Sequence, residues 1–134
     1  MEFTIVDFEL PSWEKRMWVI DMASGELLFH EQVSHGLNSD KDNDGYVDRD
    51  GGLDNTVGSG QSSIGLMKAS ETYYSSKFEG TAMRIDGLEQ GFNHNVRRRA
   101  VVMHDAKYAD NKRNQKMGRS LGCFVLDPDV TGDV

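Results

Sequence analysis

Apolar residues along this chain come in short runs rich in β-branched and aromatic side chains, with little helical periodicity. Residues 3–9, FTIVDFE, and residues 16–22, RMWVIDM, both read as strands. ASGE follows as a turn and LLFHEQVSHG as the returning strand, a hairpin whose turn conformation Gly25 supplies. NTVGSGQSSIG is a glycine- and serine-rich loop, and LMKASETYY is open between a strand and a short helix. TAMRIDGLEQG contains an alternating strand that ends in a turn. RRRAVVMHDA predicts a short apolar strand from Ala100 to Met103 that ends at His104. ADNKRNQKMGRS reads as a polar loop or short helix, and LGCFVLDP as a turn and a strand. Pro11 and Pro128 lie outside the central strands. The expectation is a mainly β domain.

Between Asn38 and Asp54 this pattern breaks. NSDKDNDGYVDRDGGLD sets six aspartates against one lysine and one arginine, and it carries much of the chain's net charge of −7. An acidic chain argues against general nucleic-acid binding, which needs a basic face. With 134 residues and 37% hydrophobic content, the sequence suits one domain, 1–134, with a modest core. No run approaches the length of a membrane span. MEFTIVDFEL lacks the basic n-region and apolar core of a signal peptide, which fits a cytosolic protein or the trimmed form of an exported one.

Candidate chemistry centres on GRSLGC, which holds the one cysteine, Cys123. A thiol attacks as thiolate and needs a base or positive charge nearby. His104, after the apolar strand, is the candidate base, since the eighteen intervening residues can return the chain beside it. Gly122 permits a tight turn whose N–H groups point at an oxyanion, and Arg119 adds a cation for a thiolate or a carboxylate. The competing reading makes Cys123 a small buried hydrophobe that opens a core strand. His30, His35 and His94 are read as structural or surface residues.

VVMHDAKY…MGRSLGCFV resembles the active-site signature of L,D-transpeptidase catalytic domains of the YkuD type. RMWVIDMASGELLFHEQVSHG, SGQSSIGLMKASETYYSSK and MRIDGLEQGFNHNVRRRAVVMH extend the likeness from about Phe3 to Phe124, outside the acidic insert 38–54. The resemblance implies a β-sandwich of mixed sheets with a short helix. It implies Cys123 as nucleophile and His104 as base. Ser120, Leu121 and Gly122 would then form, with Cys123, a turn whose amides make an oxyanion hole, and Arg119 would orient substrate. The implied reaction transfers the acyl group of a peptidoglycan tetrapeptide to an amine, releasing D-alanine, without a cofactor. Water as acceptor would make an L,D-carboxypeptidase. A periplasmic, cell-envelope or secreted location goes with this chemistry, and oligomeric state stays open. Asp105 stands where the family has glycine and Phe124 where this branch has proline. The chain stops eleven residues after Cys123, which reads as a truncated domain. Asp105, beside the base, joins Arg119 and Leu121 as a candidate substrate contact. An inactive cell-wall binding module and a general cysteine peptidase are the competing functions.

DKDNDGYVD, Asp40 to Asp48, matches the first half of a calcium loop, with aspartate at positions 1, 3 and 5 and glycine at 6. Asp40, Asp42 and Asp44 would bind by side chain, Tyr46 by its carbonyl, and Asp48 directly or through water. Gly51 replaces the usual glutamate at position 12, so Asp50 or Asp54 would complete the shell. The expected role of calcium is structural. The alternative is a solvated acidic loop.

Overall fold

The computed structural model describes residues 1–106, 109 and 116–128. It is mainly β, with two sheets. β1 (Glu2–Val6), β2 (Met17–Asp21) and β3 (Leu27–Glu31) form an antiparallel sheet in that order. The predicted hairpin is β2–β3, and Gly25 takes φ +74 in its turn, where a side chain would be strained. Asp21 braces this turn by accepting from Ala23 N at 2.9 Å and from Ser24 Oγ at 3.1 Å. β1 is shorter than the run at 3–9, because the chain turns at Asp7, which accepts from Glu9 N at 2.9 Å.

The second sheet holds β4 (Met67–Ser75), β5 (Gly80–Gly87), β6 (Val102–Asp105) and β7 (Phe124–Leu126), again in chain order. The segment left open between strand and helix is β4, a nine-residue strand. β4, β5 and β6 pair antiparallel, whereas β6 and β7 pair parallel. Parallel neighbours cannot be joined by a tight turn. The polar stretch between β6 and β7 is therefore a crossover, and the reading of ADNKRNQKMGRS as loop or helix falls largely outside the described residues.

β6 starts later than predicted. Ala100 adopts φ +57 in a turn closed by Ala100 N to Arg97 O at 3.0 Å and Val101 N to Val96 O at 3.1 Å. His104 consequently lies inside the strand instead of beyond its end. The core draws on both sheets: Met17 and Val19 of β2 and Val33 meet Ile85, Val96, Val101, Phe124 and Leu126. A second cluster, Ala82, Val102, Ala109, Met117, Cys123 and Val125, covers the other face of the β5–β7 sheet. Among the described residues, Leu37–Ser39 form a short 3₁₀ turn at the entry to the acidic segment.

Candidate active site

Strand alternation decides which side chains can meet. Met103 pairs with Phe124 and His104 with Val125. Successive residues point to opposite faces. Cys123, His104 and Val125 therefore share one face, while Met103 and Phe124 face the inter-sheet core. Cys123 and His104 line one open cavity of about 650 Å³, together with Lys77, Phe78, Arg119, Ser120 and Leu121 among others. Cys123 is a buried member of an apolar cluster, as the competing reading expected, and it also lines this cavity.

Both groups are held neutral. Burial pushes the Cys123 thiol above its ordinary value, against the N–H of Val102 and the cations Lys77 and Arg99. Burial likewise holds His104 below its ordinary value, against the carbonyl and charge of Asp105. His104 Nδ1 donates to Asp105 O at 2.7 Å, which puts the proton on Nδ1 and leaves Nε2 as the basic nitrogen. This contact uses the backbone carbonyl of residue 105, so it is indifferent to the aspartate side chain. The thiol accepts from Val102 N at 3.5 Å and donates to Ala100 O at 3.7 Å. In this resting arrangement the S–H is directed at Ala100 O.

The turn before Cys123 is built from its own hydroxyl. Ser120 Oγ donates to Cys123 O at 2.7 Å and accepts from Gly122 N at 3.2 Å. Ser120 N donates to His35 O at 2.9 Å, and Leu37 N returns a bond to Ser120 O at 2.6 Å. Two of the four amides expected to face an oxyanion, those of Ser120 and Gly122, are thus spent inside the fold. Gly122 sits at φ +118, and a Cβ there would meet Gln61 O at 2.7 Å. Arg119 lines the cavity, but its Nη1 donates to Asp40 O at 2.5 Å, so it is tied to the acidic segment. Leu121 is 67% exposed at the cavity mouth.

In the acidic segment, carboxylate oxygens of Asp40, Asp42 and Asp48 lie within 4.8 Å of one another. The Asp44 and Asp50 carboxylates are not in this group; Asp44 Oδ1 accepts from Tyr46 N at 2.9 Å instead. Asp42 holds its proton more tightly than usual, through desolvation first and then through Asp40, Asp44 and Asp48. Asp40 is buried, unlike a residue of a solvated loop. Against the desolvation this imposes, bonds from His35 and from the amides of Gly45 and Asp44 keep it below the ordinary carboxylate value.

Sequence reasoning missed the partners behind these residues. Arg16, fully buried, donates to Val33 O at 2.6 and 3.0 Å, to Leu10 O at 2.9 Å and to His35 Nδ1 at 2.9 Å. His35 must then carry its proton on Nε2, which donates to Asp40 Oδ2 at 3.1 Å. Burial pushes the Arg16 guanidinium down to about 9, against the pull of Asp40 and Asp7. Arg99 was also missed: it binds Asp54 O, Ser63 Oγ, Ser59 Oγ and Gln61 O, fastening the SGQSSIG loop behind the cysteine turn. The one sequence signal for either was an arginine inside or beside an apolar run.

A family profile described as an L,D-transpeptidase catalytic domain matches residues 1–134, the whole chain. No curated protein and no solved structure matches it.

Proposed function

Because the chain belongs to the L,D-transpeptidase catalytic-domain family, we propose that it is a cysteine acyltransferase acting on peptidoglycan stem peptides outside the cytoplasm. The observation that carries this reading is the placement of Cys123 and His104 on one face of β6–β7, in one cavity, with the imidazole proton fixed on Nδ1. His104 Nε2 takes the thiol proton as Sγ attacks the carbonyl of the L-centre of the diamino acid. The oxyanion is met by the N–H groups of Leu121 and Cys123, the two left over in the turn. Collapse breaks the peptide bond, and the D-alanine amine leaves with the proton from Nε2. An amine of a second stem attacks the thioester, gives its proton to Nε2, and the thiol is restored. Leu121 offers an apolar contact at the mouth, and Arg119 and Asp105 flank the bound stem. Water as acceptor gives tripeptide instead of crosslink.

The test is mass spectrometry of products from disaccharide-tetrapeptide, beside Cys123→Ala and His104→Gln. Loss of D-alanine that needs both residues is expected, with dimers marking transpeptidation and tripeptides carboxypeptidation. A folded protein that binds the substrate without turnover would instead support a binding module. Calcium is proposed as a structural ligand of Asp40, Asp42 and Asp48, whose clustered oxygens suit a hard cation. Millimolar calcium should then raise the melting temperature, and Asp42→Asn with Asp48→Asn should abolish that rise; an equal response in the variant refutes the site.

A further inference from the structure

Beyond the cysteine and its base, the cavity contains an aromatic ring with no part in the chemistry above. Phe78 lies in the four-residue connection between β4 and β5, beside Lys77 and Glu79. The pairing of Met83 with Met103 carries the tip of this hairpin past the end of β6, over the imidazole. There the rings of Phe78 and His104 stack with centroids 3.7 Å apart and planes 9° from parallel. The connection is itself held: Phe78 N donates to Ser75 Oγ at 3.3 Å, and Glu79 takes φ +55 to re-enter β5 at Gly80. Ser75 is buried, so the tip is anchored to the sheet.

An imidazole fixed by one hydrogen bond can still tilt about the Nδ1–H···O axis. A second ring lying flat against it removes that freedom and keeps water from one face. We propose that Phe78 is a positioning residue for the acyl transfer, holding the His104 ring in the plane that aims Nε2 along the sheet face toward Cys123. This inference rests on the acyltransferase reading above. Among the described residues, the charged and titratable groups around His104 are Lys77 and Glu79 on the hairpin, Asp105 on its own strand, and Arg119 and the Cys123 thiol on the opposing turn. Lys77 Nζ stands 5.4 Å from the Phe78 ring, so the hairpin presents a cation, a ring and the imidazole in succession.

The experiment compares Phe78→Ala, Phe78→Tyr and Lys77→Met in the full chain, by pH-dependent kinetics and by NMR titration of the His104 ring protons. For Phe78→Ala we expect kcat to fall about ten- to a hundredfold. KM should stay within about twofold, and the acid limb of kcat/KM should move up toward the ordinary histidine value of about 6.5. The ring-current shift of the His104 protons should vanish. Phe78→Tyr should restore all of these, whereas Lys77→Met, which removes a cation beside the thiol and leaves the ring in place, should keep the ring-current shift. A Phe78→Ala protein with unchanged kcat, or with a loss confined to KM and an unmoved acid limb, overturns the proposal. If Phe78→Ala does not fold, Phe78→Leu replaces it, with the same outcomes required. NMR reads the stacking in the absence of turnover: a ring-current shift in a protein that never releases D-alanine would sink the acyltransferase reading, whereas its absence in an active one would sink this proposal.

Discussion

Ser120→Ala is the sharpest test of how the cysteine turn is made. The hydroxyl serves two buried partners at once, donating to Cys123 O at 2.7 Å and accepting from Gly122 N at 3.2 Å. Alanine leaves both groups of the backbone without that partner in a site where Ser120 is 5% exposed. A buried polar group stripped of its bond costs about 1–3 kcal/mol. The two losses overlap, because the turn can relax to recover one of them, so about 2 kcal/mol is the expected total. For a chain of this length that corresponds to a drop of about 6–10 °C in melting temperature. Relaxation would also move the amides of Leu121 and Cys123 off the oxyanion position, and losing one such donor costs about a hundredfold in kcat. Differential scanning calorimetry and D-alanine release, measured on the same preparation, read both effects. Ser120→Thr keeps the hydroxyl and should recover most of the activity. A Ser120→Ala protein that melts within about 1 °C of the parent and turns over within about twofold of it would refute the argument.

Three further outcomes follow from the same geometry. Ala100→Gly should stabilise the protein by about 1 kcal/mol, since glycine carries no penalty at φ +57; a thermal scan checks it, and a fall in melting temperature would contradict the assigned backbone. Arg16→Met should destabilise by about 3–5 kcal/mol, because it leaves His35 Nδ1 and the carbonyls of Val33 and Leu10 buried without their donor; urea unfolding that shifts by less than about 1 kcal/mol would argue against the buried cluster. The pH response has two signs. His104 is depressed in the fold, so its contribution is present above its unfolded value of about 6.5 and is lost as pH falls through the folded value. Cys123 is raised, so its contribution is present below its unfolded value of about 8.5 and is lost as pH rises through the folded one. Stability measured across pH should therefore show a plateau near neutrality, and replacing Cys123 by alanine should flatten the alkaline side.

Local signals carried much of this fold. Gly25 between two apolar runs announced the β2–β3 hairpin, and the apolar run before His104 announced β6, displaced by two residues because Ala100 takes a left-handed turn that alanine rarely adopts. That Cys123 and His104 would lie near one another was expected from a polar stretch returning the chain beside the same strand, and both line one cavity, although His104 lies within β6 and not at its end. Less visible was whatever depends on distant segments meeting. The parallel pairing of β6 with β7 has no local signature, and neither does the burial of Arg16 against His35 and Asp40. The free amides of the GRSLGC turn were overcounted for a related reason: whether an amide is free depends on Ser120 Oγ and on His35 O, which the motif does not encode. Phe78 was passed over because an aromatic in a hairpin connection carries no local signal until the register of β5 on β6 brings it onto His104.

The cysteine turn also has a history written into its long-range bonds. Ser120 N reaches His35 O across 85 positions of the chain, and Met117 N reaches Ser12 Oγ across 105. Contacts so far apart in sequence close late, because the chain must first lose the freedom of everything between them. The cavity lined by Cys123 and His104 is therefore completed only when distant segments of this domain have met. Until then Cys123 is an ordinary cysteine on an open chain. On the proposed acyltransferase reading, completion of the fold is the step that arms the thiol.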